Sequence, residues 1–195
     1  MNLFDPNQIP GYTEARETEQ ANRDLAFLNF PMPLCGVLVR PFSLKHLIIL
    51  GNCGNPFVTG GAAPSPEQIA QFLWVVSDEY APDQKKMKKF AAGLGSLKYM
   101  QAIKDITGYL EAAFQDAPSS GGGGKLYTAS CAALVETIAH EFGWDDEQIM
   151  NKPVARLFQY IRLIRKRHDP KALLFNRSDS VISNHLRGGA AQAAN

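Results

Sequence analysis

A run of glycines closed by a lysine, a His-Glu pair, three cysteines and two clusters of cations are where reactive groups concentrate in this chain. Each implies a definite chemistry. In 121-GGGGKLYT-128, the glycines and Lys125 invite comparison with a phosphate-cradling loop. Such a loop needs Ser or Thr directly after the lysine and a strand before the glycines. Leu126 follows Lys125, and no strand pattern precedes the run, so residues 117–125 read as a flexible linker. His140-Glu141 lacks the second histidine that a zinc-protease helix places four residues after the first. His46, His140, His168 and His185 have no cysteine or carboxylate at ligand spacing and read as surface or capping residues. Cys35, Cys53 and Cys131 are odd in number and too far apart for a CxxC pair. Cys131 falls on an apolar helical face and reads as a core thiol, while Cys53, in 51-GNCGNP-56, stands in a setting that would expose it. No carboxylate pair is spaced for acid–base work. The expectation is a protein with no catalytic, cofactor-binding or metal-binding residues, one that acts by binding.

The cations form two clusters. One is Lys85, Lys86, Lys88 and Lys89; the other is Arg162, Arg165, Lys166, Arg167 and Lys171. Against 20 Lys+Arg stand 19 Asp+Glu, a net charge of +1, which argues against a dedicated nucleic-acid binder. In the second cluster Val154, Leu157, Phe158, Ile161 and Ile164 recur at helical spacing, and Arg162, Arg165 and Lys166 point mostly away from that stripe. Cations near a helix C-terminus are favoured by about 0.3–1 kcal/mol each. No aromatic residue suited to base stacking lies among them. Both clusters therefore read as solvated faces. If the helix has a partner, the candidate groove is Leu157, Phe158 and Ile161, with Arg162 and Arg165 beside it.

Positioning these residues falls to a mostly α architecture. The chain of 195 residues is long enough to bury about 70% of its unfolded surface. The pattern predicts a compact helical domain of six or seven helices, with a Gly-rich linker and flexible termini. Residues 1–12 read as an extended arm, 13–116 as an N-terminal helical part, 117–125 as the linker, 126–179 as a C-terminal helical part and 180–195 as a flexible tail. The segment 13–30 predicts a helix capped by Thr13. It is polar for three turns, so it should project from the body or pack lightly. The stretch 36-GVLVR-40 is strand-like but has no obvious partner. Ser43 should cap a short Leu-rich helix that stops at Gly51. Ser65, Pro66 and Gln68 announce a helix with a capping box, running to Tyr80 before Pro82. A basic segment over 83–95 follows, then a helix over 96–114 with Met100, Ile103, Ile106, Leu110 and Phe114 on one face. After the linker come a helix over 128–143 ended by Gly143, a turn with acids at 145–150, and a last long helix started by Pro153. The first residues lack the pattern of a signal peptide, and no apolar run approaches the roughly 20 residues of a membrane span. A soluble, intracellular protein is expected.

Two segments carry a family likeness. In 40-RPFSLKHLIILGNCGNPFVTGG-61 with 72-FLWVVS-77, an Arg-Pro-x-Ser-Leu start leads into a Leu-rich helix and a Pro-Phe turn with glycines. In 144-WDDEQIMNKPVARLFQYIRLIRKRHDP-170, a Trp and an acidic turn precede a Pro-x-x-Arg-hydrophobic-hydrophobic-Gln helix. Together they resemble the tail assembly chaperones of long-tailed bacteriophages and prophages. Lys152 stands where that pattern has Met, and the Gly-rich linker and polar first helix also depart from it. The resemblance implies a non-enzymatic chaperone in the host bacterial cytoplasm. It would keep a tape-measure protein, or another tail protein, soluble until tube subunits displace it. A connector or baseplate component of the virion, or a nucleic-acid-binding phage protein, is the alternative.

Overall fold

The structure is a computed structural model and describes residues 5–95, 98–118, 131–174, 176 and 178–193. A 3-10 turn over Pro6–Gln8 leads into α1 (Tyr12–Leu28), followed by the strands β1 (Met32–Leu34) and β2 (Val37–Val39). Then come α2 (Leu44–Asn52), α3 (Pro56–Thr59), α4 (Pro66–Val76), α5 (Gln84–Gly93) and α6 (Tyr99–Ala113). Beyond the 119–130 stretch lie α7 (Ala132–Phe142), α8 (Asp146–Met150), α9 (Val154–His168) and α10 (Asp179–Ala193). The protein is a mostly helical, compact domain, with a single two-stranded sheet among the described residues. Among those residues no helix is long and apolar enough to cross a membrane.

The core forms around α4, whose face from Ile69 to Val76 is almost wholly buried. Its start is local chemistry: Ser65 Oγ accepts from the Gln68 N–H, and Gln68 Oε1 accepts from the Ser65 N–H at 2.8 Å. Phe42 stacks on Phe72 with centroids 6.2 Å apart, and Phe114 meets Phe158 at 5.8 Å. Leu50, Ile106, Ile138, Ile149, Val154 and Leu157 complete the same buried cluster. Residues from both sides of the Gly-rich segment thus share one core. The Val154 N–H donates to the Phe42 carbonyl at 2.7 Å, and Ser43 bridges to Pro153, which pins the start of α9 against the start of α2.

Several expectations need correction. α1 is capped by Gly11 rather than Thr13, with no side-chain cap, and ends where Asn29 turns left-handed (φ 54°). It does not project. Arg23 reaches Asp116 in a bidentate pair at 2.7 and 2.8 Å and Glu19 at 2.7 Å. Arg162 joins Asp116 at 3.2 Å and Asn176 at 2.6 Å, and the Ser178 N–H donates to Glu19. The polarity of α1 is therefore spent on a buried junction with α6, α9 and α10.

The strand-like 36–40 stretch does have a partner, Met32–Leu34, in an antiparallel hairpin pairing Leu34 with Val37. Cys35 and Gly36 connect the strands, both with positive φ (51° and 79°), the turn geometry that suits the twist of a hairpin. α2 runs through Gly51 to Asn52. α4 stops at Val76, before Tyr80, because Ser77 leaves the helix to bridge with Val39. Met100 is 73% exposed, outside the face that Ile106 buries. The basic segment is the helix α5. Residues 180–193, expected as a flexible tail, belong to α10, which opens on Asp179 and docks against α1. Among the described residues there are ten helices, where six or seven were expected. The glycine run itself lies outside the described residues.

Candidate functional site

The five residues expected to meet a partner do not form an open face. Leu157 and Phe158 are buried in the core, and Ile161 packs half-buried against it. Arg162 is held in the junction with Asp116 and Asn176. Arg165 is exposed. α9 is walled in by α1, α6 and α7, so its apolar stripe is consumed by folding. The hydrophobic periodicity was legible; which neighbours cover it was not.

An apolar groove of about 540 Å³ lies elsewhere, between α1, the β-hairpin and α6. Leu25 and Ala26 form one wall, Met32 and Pro33 another, and Gly108 and Ala112 the floor. α6 presents small residues at i and i+4, so its backbone lies open to close approach. A Cβ added at Gly108 would meet nothing within 4 Å. Tyr109 donates its hydroxyl to the Arg40 carbonyl and ties α6 to the end of the hairpin. Burial raises the Tyr109 pKa far above its usual value, which keeps that donor protonated. Lys104 and Asp105 supply the charge at the rim, and Asp105 accepts from Gln101.

Beside this groove the chain exposes Leu25, Phe27, Leu28 and Phe30, the last 63% exposed. Leu25, Phe27 and Leu28 end α1 and Phe30 follows it, and together they form an apolar tip, the kind of surface that marks a binding site.

The hairpin decides what the groove can accept. Leu34 and Val37 flank the two-residue turn and bond to each other, so the Pro33–Leu38 rung points its backbone groups away from the ladder. Leu38 uses that direction to accept from the Asp78 N–H at 3.3 Å. On the other side Pro33 has no N–H to offer, and Pro31 repeats the block two residues earlier. An edge without donors resists addition of a strand.

Among the described residues no group of three or more His, Cys, Asp or Glu is placed to hold a metal ion. Cys131 is buried and Cys53 exposed, as their settings implied. His46 is a capping residue: its Nδ1 accepts from the Ser43 N–H at 3.2 Å. Comparison of the chain with protein-family models, with curated proteins and with solved structures finds no match.

Proposed function

We propose that this protein is a non-enzymatic tail assembly chaperone, acting in the host bacterial cytoplasm on the tape-measure protein or another tail protein of a long-tailed phage or prophage. The observation that carries this reading is the apolar groove between α1 and α6, with its small-residue floor and donor-free edge. Such a groove receives the apolar face of an amphipathic helix. A long helical client that exposes such faces aggregates unless they are covered. The groove has a volume of about 540 Å³, within the range of small-ligand pockets. It would bury only a few side chains, which suits contacts that tube subunits must later displace. The likeness of 40–61 and 144–170 to tail assembly chaperones supports the same conclusion.

Co-expression with the tape-measure protein of the same genome tests it. The client should be soluble in complex with this protein and aggregate without it. Gly108→Trp, which fills the groove from a position with free space above it, should weaken the complex by about tenfold or more. Gly108→Ala leaves the groove open and serves as the control. A client no more soluble in the presence of the protein rejects the proposal. Recovery of the protein from purified particles at fixed stoichiometry would make it a structural component instead.

A further inference from the structure

The two cation clusters have different physical standing. Those at the end of α9 sit where a helix dipole welcomes positive charge: Arg165, Lys166, Arg167 and His168 fill the last turn. Arg167 also pairs with Glu141. The lysines of α5 have neither advantage. Lys85 and Lys86 occupy its first turn, at the positive end of the dipole, and Lys88 and Lys89 the next. Lys85 neighbours Lys88 and Lys89 along the helix, and Lys86 neighbours Lys89, all like-charge pairs at repulsive spacing. α5 contains no acidic residue. Asp83 caps the helix by accepting from the backbone N–H groups of Lys85 and Lys86 at 2.8 and 3.2 Å. Among the described residues none of the four ammonium groups stands in an ion pair. Apart from the Asp83 cap, α5 is built against its own electrostatics, which points to a role outside the fold.

The surroundings of α5 define that role. Lys86 and Lys89 form one wall of a cleft of about 830 Å³. Its floor is apolar: Trp74 and Phe90 meet at 5.1 Å, and Leu38 of β2 is 54% exposed beside them. Asp78, paired with Arg40, and Glu79 stand on the opposite side. We infer that this cleft binds an acidic amphipathic segment of a partner protein, its carboxylates on Lys86 and Lys89 and its apolar side chains on Leu38 and Phe90. Nucleic acid fits less well. The four lysines span only about 6 Å along the helix axis, enough for about two phosphates of one strand. A phosphate chain would also leave the apolar floor uncovered. This cleft meets the α1–α6 groove only at Cys35, and its occupancy stands or falls independently of the chaperone reading.

Fluorescence anisotropy of the full-length protein tests the inference. Three labelled probes are needed: a helical peptide with glutamates on one face and leucines on the other, the same peptide with serines for leucines, and duplex DNA. At about 150 mM salt the Leu–Glu peptide should bind tightest. K86E/K89E should weaken it by about tenfold or more, and Leu38→Ser should weaken it too. The same double substitution removes repulsion and complements the dipole, so it should raise Tm by about 2–4 °C. Loss of binding in a better-folded variant cannot come from misfolding. Absence of binding by the Leu–Glu peptide, tighter binding of DNA, indifference to K86E/K89E, or a lowered Tm would each overturn the inference.

Discussion

His46 closes the capping box of α2 with a ring nitrogen where Glu or Gln is usual. Its Nδ1 accepts a hydrogen bond from the Ser43 backbone N–H, so the cap requires the neutral imidazole. Burial, with Arg40 and Lys45 nearby, lowers its pKa from 6.5 to about 4. The unfolded chain therefore takes up a proton as pH falls through 6.5, while the folded protein does not until about pH 4. Stability is full above pH 6.5 and falls between 6.5 and 4, by roughly 3 kcal/mol from this residue alone. His46→Gln keeps an acceptor for the Ser43 N–H, as Gln68 does for Ser65, and has no proton to gain. Urea unfolding of both proteins across that range should give curves that converge at neutral pH and separate toward pH 4, the variant being the more stable. Parallel curves would show that His46 titrates as it does in water.

At the scale of elements, α9 shows how a helix with two faces divides its work. Phe158 is buried against Phe114, so Phe158→Ala should cost about 3–5 kcal/mol. Arg165 is exposed, and Arg165→Ala should cost under about 0.5 kcal/mol. Chemical denaturation of the two variants checks both values; a mild Phe158→Ala would mean that this face is not core. What the sequence disclosed follows the range of the interactions. The α4 capping box, the stop at Gly143 and the stripe of α9 depend on residues a few positions apart, and all three were readable. The hairpin was not, because β1 carries Pro33 and a three-residue strand has no signal without its partner. The polarity of α1 was read as exposure, since its partners Asp116 and Asn176 lie far along the chain. The groove escaped for the same reason: it takes one wall each from α1, β1 and α6, and only the Gly108 and Ala112 spacing hints at it.

For the whole molecule, the question is whether the chain on either side of the Gly-rich segment can fold alone. The buried cluster says that it cannot. Ile138, Ile149, Val154, Leu157 and Ile164 from one side pack in the same core as Phe42, Leu50, Phe72 and Ile106 from the other. Asp116, the last buried residue before that segment, is the carboxylate on which Arg23 and Arg162 converge from opposite sides of it. Separating the parts would expose that apolar surface and break the Arg162–Asp116 pair, while Arg23 and Asp116 would stay together in the N-terminal fragment. A fragment of 131–195 would also fall in the size range where a lone core is marginal. Expressed separately, 1–118 and 131–195 should each lack a cooperative thermal transition by circular dichroism. Mixed, they should associate and recover one transition with near-native helicity. If either fragment melts cooperatively alone, the chain is two domains joined by a linker, and the shared core is an interface between them.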